Sequence, residues 1–448
     1  MTGTALEEMR IVLGPAGFVA GQDLLTAGPL DDASASAGPI LPLALLRPGS
    51  LPEICAVLEI CFRHGIPVVP QGGLTGLSGG ASPCDGAVAL SLARFSGIER
   101  IDPVQGTMTV RAGTVLQKAQ EAAEEAGFLF PVDLGARGSC QIGGIVSTNA
   151  GGPGVIRYGM TRDNLLGLEV VLADGTVLSH LTQVAKDNTG YDLRHLFCGA
   201  EGTLGIVTRA VFRLAPPPPP VQTALCAVGS FAALPVLLQR ARRDLILSAF
   251  EVMWHDHFLI SGGRGFFAEA PDYALLIEVQ GGDLEAWLEA GFTEGLITDA
   301  LPAGSVAAAE RFWSIRESRH PERSLKGLHN LDVSIPLAAT EAFVSACRAG
   351  VLRLDPLAQS LFFGHLGDGN LHVIIDLPGL GPEGKTLLQD LVYPLVREAG
   401  GSISAEHGIG RLKRDWLDQT RSPGEIAAMR AIRSALDPRG LMNPGKLF

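Results

Sequence analysis

Ile54, Val57, Leu58 and Cys61 are apolar at intervals of three and four, the spacing that turns one stripe of a helix towards a core. Ser50 and Glu53 precede that stripe at capping-box spacing, Pro52 suits the first turn, and Gly65 supplies the stop. The pattern then changes to a short apolar run over 66–70, a strand that leads into a glycine-rich stretch. A second helix is expected over 115–126, ending at Gly127, and 168–178 reads as a hairpin turning on Asp174-Gly175. Further β runs at 274–279 and 361–364 lie among helical segments. Five successive prolines, 216–220, can continue neither a helix nor a central strand and favour an extended spacer. The pattern predicts an α+β fold in three stretches, 1–218, 219–404 and 405–448, the last returning to glycine-rich polar motifs.

Composition narrows the function. The chain has 448 residues, 46% of them hydrophobic and 18% charged, which is ample for more than one buried core. A net charge of −12 argues against a nucleic-acid or anionic-membrane partner. The short basic cluster Arg240, Arg242 and Arg243, followed by Asp244, reads as a solvated helix face. Seven cysteines without metal-ligand spacing read as reduced, buried thiols, which disfavours an iron–sulfur cluster in this chain. Residues 1–10 have no basic-then-apolar leader and no stretch is long enough to span a bilayer, so a cytoplasmic location is expected.

Three glycine-rich runs carry the candidate chemistry. The first is Gln71-Gly72-Gly73-Leu74-Thr75-Gly76-Leu77-Ser78-Gly79-Gly80. Straight after a strand, such a run lets consecutive N–H groups converge into an anion nest, or simply makes a tight bend. It lacks the Lys-Ser/Thr of a P-loop and the spacing of GxGxxG. The second, residues 143–152, holds Gly143, Gly144, Ser147, Thr148, Asn149 and Gly151, with Tyr158-Gly159 beyond it; the third includes Glu201-Gly202 and Gly205-Ile206. Three runs in one stretch imply a long ligand threaded between loops, as a dinucleotide would be.

In order and spacing these runs resemble the FAD-binding domain of the vanillyl-alcohol oxidase / p-cresol methylhydroxylase flavoproteins, over roughly 38–448. In detail they are similar to the D-lactate / glycolate / D-2-hydroxyglutarate dehydrogenase branch. The resemblance implies a two-part FAD-binding domain over 1–218, an α+β substrate domain over 219–404, and a segment 405–448 that completes the active site. It implies cofactor contacts at Gln71, Gly72, Gly73, Leu74, Thr75, Gly76, Gly79, Gly80, Asp133, Gly143, Gly144, Ser147, Thr148, Asn149, Gly151, Tyr158, Gly159, Glu201, Gly202, Gly205 and Ile206. Asn443, in Met442-Asn443-Pro444-Gly445-Lys446, joins them near the flavin ring. The loops show no match to the family's covalent-flavin histidine, so non-covalent FAD is expected.

Two further motifs are Gly364-His365-Leu366-Gly367-Asp368-Gly369-Asn370-Leu371-His372 and Ser404-Ala405-Glu406-His407-Gly408. Two imidazoles and a carboxylate form a three-ligand metal set with open positions. A glycine turn over 367–369 can fold the histidines towards one point, and ordinary polar residues at strand ends are the other reading. The resemblance implies that His365, His372 and Glu406 hold a divalent metal, zinc or manganese, that His407 is the catalytic base and a substrate contact, and that Asn370 contacts substrate. Arg316 is a candidate clamp for a substrate carboxylate, or else pairs with Glu317 or Glu310 on a helix surface; the family pattern has an arginine there.

One departure concerns the acid. The 2-hydroxyglutarate branch has a lysine before Asp-x-Ser-x-Pro, whereas here Asn330 precedes Asp332-Val333-Ser334-Ile335-Pro336, and neither His329 nor Lys326 is in register. An amide supplies no charge for a distal carboxylate, which favours a monocarboxylate such as D-lactate, or another D-2-hydroxy acid. Partners are then a small 2-hydroxy acid and an external electron acceptor: a quinone, an electron-transfer flavoprotein or an iron–sulfur protein. A homodimer is implied by size and resemblance alone. Competing readings are an oxidase, an ether-lipid synthase on the same fold, and one flavoprotein subunit of a glycolate-oxidising complex.

Overall fold

The computed structural model describes residues 2–28, 30–31, 40–325, 327–381 and 383–448. Lys326, weighed above as a possible cation, lies outside them. Contacts divide the chain into two compact units, one of 1–152, 158–217 and 406–448, the other of 153–157 and 218–405. The exposed prolines 216–220 carry the chain from one to the other.

The first unit holds two sheets. In the smaller, Val88–Ser91 runs parallel to both Val68–Gln71 and Ala44–Leu46, and Phe18–Ala20 adds an antiparallel edge. Helix Leu51–His64 buries Ile54, Val57, Leu58 and Cys61 in the core of this unit. The Ser50 hydroxyl accepts the Glu53 N–H at 3.4 Å, while the Glu53 carboxylate accepts the Gly49 N–H at 2.7 Å, one residue before the reciprocal partner of a capping box. Gly65 closes the helix at φ 69°. The second sheet is antiparallel, ordered Ile98–Asp102, Thr107–Arg111, Ile206–Arg213, Leu165–Val171, Val177–His180. Its last pair is the expected hairpin, with Asp174 accepting the Thr176 N–H in the turn.

The segment 406–448 closes the first sheet's edge. Val68 donates to the Leu441 carbonyl at 2.9 Å and accepts from the Asn443 N–H at 2.8 Å, directly before the first glycine run.

The second unit is built on one antiparallel seven-stranded sheet, in the order Asp299–Pro302, Gln222–Val228, Tyr273–Val279, Leu247–Trp254, Gln359–His365, Asn370–Asp376, Leu328–Ser334. Helix Val306–Arg316 lays Phe312 and Ile315 against Leu225, Met253 and Leu276 of that sheet. The helix Ala233–Asp244 carries the basic cluster, and that face is only partly solvated: Arg242 donates to the Gly367 carbonyl at 2.6 Å and Arg240 pairs with Glu294. No helix among the described residues is long and apolar enough to cross a membrane.

The first glycine run owes its path to a close approach. A Cβ at Gly73 would collide with the Ser139 carbonyl, a backbone atom that cannot step aside. Gly73→Ala is therefore expected to destabilise the first unit by about 1–3 kcal/mol, seen as a lower urea midpoint.

Candidate active site

In the first unit the three glycine runs are tied together by backbone and by two buried side chains. Gln71 leaves its strand and donates to the carbonyls of Leu30 (2.9 Å) and Ala81 (3.1 Å), closing the first run at its base. The Ser78 carbonyl accepts from the N–H groups of Arg411 (2.9 Å) and Leu412 (3.0 Å), and the Ser78 hydroxyl donates to the His407 carbonyl at 2.7 Å. Gly410 sits at φ 54° against the same carbonyl, where a side chain would collide.

The second run is not a loop throughout. Residues Ile142–Thr148 form a short helix, because Gly143 lets the backbone come down on Ala112 and Asn149 ends it at φ 49°. Thr148 turns its hydroxyl back to the Gly144 carbonyl at 3.0 Å. The third run joins the second through Glu201 N–H to Ser147 carbonyl (2.7 Å) and Gly199 N–H to Val146 carbonyl (3.0 Å). The Glu201 carboxylate accepts the N–H groups of Ile409 and Gly410, each at 2.7 Å. Burial pushes that carboxyl above its ordinary range, although the two N–H bonds and the Lys413 and Lys446 charges pull the other way. Asn443 donates to the carbonyls of Gly80 (2.9 Å) and Glu201 (2.7 Å).

A dinucleotide suits what is left over. Among the described residues five non-glycine positions have positive φ, and four of them, Leu74, Asn149, Glu201 and Asn443, are positions implied to touch the cofactor. Gln141 Oε1 and Asn443 Oδ1 are buried without a donor, and hydroxyl or imide hydrogens of a cofactor would satisfy them. Gly144 has open space where a Cβ would stand. Other implied contacts have structural work of their own. Asp133 accepts from Gln120 (3.0 Å) and the Leu134 N–H (2.9 Å), while Gly159 and Gly205 pack on Asp163 and Val170.

In the second unit, sheet register brings the chemistry to one face. Glu251 lies opposite His365, Phe363 opposite His372, and Asp332 opposite His372. Directly opposed residues share a face, as do positions two apart, so all five point the same way. The Gly367-Asp368-Gly369 turn folds the two histidines together, with ring centroids 5.5 Å apart and a nitrogen of each within 4.8 Å of the other. Burial pushes the Asp368 carboxyl up, and its oxygen accepts the Asn370 N–H at 3.1 Å. Both amide atoms of buried Asn370 lack a partner, as a residue reserved for a ligand would.

Arg316 ends its helix inside the unit, so surface pairing with Glu317 or Glu310 is overturned. It is 8% exposed, donates from Nε to Glu251 at 2.7 Å, lies 3.2 Å from His365 Nε2 through Nη2, and stacks over Phe363 at 4.6 Å. The residue that sequence reasoning missed is Glu251, whose other oxygen is 2.8 Å from His365 Nδ1. Its signal was a lone carboxylate within an otherwise uncharged strand, Leu247–Trp254. Burial opposes its charge, yet the electropositive His365 edge and the Arg316 guanidinium, both hydrogen-bonded to it, hold its carboxyl down at about 2. His257 was missed as well. It stacks on Phe363 at 4.0 Å, and burial, with the Arg316 charge, lowers its pKa to about 3, so it is neutral. Asn330 is exposed on the same face as Asp332. Glu406 follows Ala405, the last residue of this unit, and so belongs to the first unit.

Comparison with known proteins gives this geometry a family. Residues 42–180 match the FAD binding domain, and 217–447 match the C-terminal domain of FAD linked oxidases. A D-2-hydroxyglutarate dehydrogenase of Xanthomonas citri pv. viticola is 41% identical, over 91% of this chain and 89% of its own length. The mitochondrial D-2-hydroxyglutarate dehydrogenase of Bos taurus is 39% identical, over 90% of this chain and 76% of its own. The fold is shared with substrate-bound p-cresol methylhydroxylase, at a TM-score of 0.75 and 17% identity, over 99% of this chain and 96% of that one. With a glycine-rich cradle in one unit and a histidine, arginine and carboxylate face in the other, the chain belongs to the FAD-linked oxidases, as an FAD-binding oxidoreductase.

Proposed function

We propose that the chain oxidises a D-2-hydroxy acid, D-2-hydroxyglutarate foremost, to the 2-keto acid with the help of a divalent metal. The observation that carries this reading is the buried arginine beside two converging histidines and an unsatisfied asparagine amide on one sheet face. The identity to D-2-hydroxyglutarate dehydrogenases supports the choice of acid.

The metal reading rests on donor chemistry. Ionised Glu251 has no proton to give, so His365 donates through Nδ1 and presents its Nε2 lone pair. His372 would add a second nitrogen and, as the resemblance implies, Glu406 an oxygen, an N, N, O set that zinc or manganese accepts. Arg316 competes for the same lone pair, and metal binding requires its N–H to turn to another acceptor, which a substrate carboxylate provides. When bound, FAD supplies the two-electron acceptor and the metal a Lewis acid. The protein's own residues do the rest. Arg316 has two of its five N–H groups engaged with Glu251 and His365, and the others would bind a substrate carboxylate. The Asn370 amide offers a donor and an acceptor to the substrate. His407, its main chain held by Ser78, takes the 2-hydroxyl proton as general base. An external acceptor then reoxidises the flavin.

Asn330 favours a second reading in which a monocarboxylate such as D-lactate is the substrate, because that exposed amide brings no charge to the face that carries Asp332. Anaerobic titration of the flavin with D- and L-2-hydroxy acids separates these. D-2-hydroxyglutarate is expected to bleach the spectrum and its L-enantiomer to leave it unchanged. Bleaching by D-lactate alone would establish the second reading, and bleaching by no acid would favour a subunit that works only inside a larger complex. His407→Ala is expected to retain FAD and lose at least about 100-fold in the rate of flavin reduction, measured by stopped flow. Chelation by EDTA should abolish turnover with the oxidised flavin spectrum intact, and zinc or manganese should restore it.

A further inference from the structure

Glu251 makes both of its buried contacts with residues of the proposed site, and we infer that it is the positioning residue that sets the tautomer of His365 and the orientation of Arg316. The inference rests on the reading of His365 and Arg316 given above. It adds a residue that touches neither substrate nor cofactor in that reading.

The geometry leaves little choice of protonation. Glu251 is 1% exposed and each carboxylate oxygen has one partner, Arg316 Nε at 2.7 Å and His365 Nδ1 at 2.8 Å. An ionised carboxylate only accepts and a guanidinium only donates. His365 therefore donates from Nδ1 to Glu251 and accepts at Nε2 from Arg316, 3.2 Å away, which fixes it as the neutral Nδ1–H tautomer. The three contacts among Glu251, Arg316 and His365 each pair a donor with an acceptor. Phe363 is its floor, carrying the Arg316 guanidinium at 4.6 Å on the strand that ends in His365. A carboxylate behind an imidazole in this way raises the basicity of the outward nitrogen and fixes the ring plane.

The prediction runs opposite to what a merely space-filling side chain would give. Glutamine has the volume of glutamate, but its amide can accept on one side only. Facing His365, its NH2 forces the proton to Nε2, where it meets the Arg316 N–H; facing Arg316, it meets the Nε–H. Either way two donors oppose each other. Aspartate leaves a small void yet remains acceptor-only. Glu251→Asp should therefore outperform Glu251→Gln, whereas simple packing predicts the reverse.

The test uses the full-length FAD-loaded protein, stripped of metal and labelled with 15N-histidine, with the His365 signal assigned by its loss in His365→Gln. Wild type and Glu251→Asp should show a protonated Nδ1 and an unprotonated Nε2, and Glu251→Gln the reverse or a mixture. Zinc titration should then show about 10–100-fold weaker binding for Glu251→Gln than for wild type. The KM for the hydroxy acid that reduces wild-type flavin should rise by a similar factor, and Glu251→Asp should recover most of both. An Nε2–H tautomer in wild type, or a glutamine variant equal to wild type in tautomer and KM, overturns the inference. If wild type takes up no zinc, the metal reading fails, and the tautomer together with the KM order of the two variants still decides the role of Glu251. If the glutamine variant does not fold, the aspartate variant decides: a wild-type tautomer supports the inference and an altered one overturns it.

Discussion

The first unit depends on one buried carboxylate. Glu201 lies in the third glycine run, its N–H reaches the second, its carbonyl takes the Asn443 amide that also holds Gly80 of the first, and its side chain receives two N–H groups of the C-terminal segment. Removing a carboxylate from water costs several kcal/mol. Two hydrogen bonds to a charged group return about 1.5–3 kcal/mol each, so the residue is tolerable only while Ile409 and Gly410 keep their positions. Its raised pKa expresses the same balance, in which burial is the largest influence. The helix that follows Gln141, the strained Asn443 and the path of 71–80 all take their places around this residue.

The second unit repeats the principle with different partners. Glu251 is buried too, but it faces a guanidinium and an imidazole in place of backbone N–H groups, and its carboxyl is driven down where that of Glu201 is driven up. Backbone partners make a joint, whereas titratable partners make a site. The aromatic floor under Arg316 holds its guanidinium flat over Phe363, which would reduce the freedom lost on gripping an anion.

Local chemistry made much of this fold legible in the sequence. The Ser50 cap, the Gly65 stop, the Asp174-Gly175 hairpin and the turn that folds His365 towards His372 all depend on residues within a few positions of one another. Long-range pairing was not legible. Arg316 looked like a surface helix residue because its true partner, Glu251, is 65 positions away on a strand whose register only the sheet defines. The helix Ile142–Thr148 was hidden because paired glycines usually break helices, and the fit of Gly143 on Ala112 reverses that expectation. Arg242 read as solvated for the same kind of reason, its acceptor at Gly367 being set by tertiary packing. Motif and resemblance thus reached the residues with chemistry of their own, and missed those that act by holding another residue.

The division of the first unit among three chain segments bears on how the protein is made. When residues 1–217 have left the ribosome, the Val68 edge has no Leu441 or Asn443, Ser78 has no Arg411, and the Glu201 carboxylate has no N–H partners. The second unit, whose sheet is built entirely from 222–376, can complete that sheet before the last residues of the chain are translated. The nascent chain therefore carries an unfinished cradle until residues 406–448 have emerged. A polypeptide that stops short of residue 406 has a first unit without the segment that closes its sheet edge and holds its glycine runs.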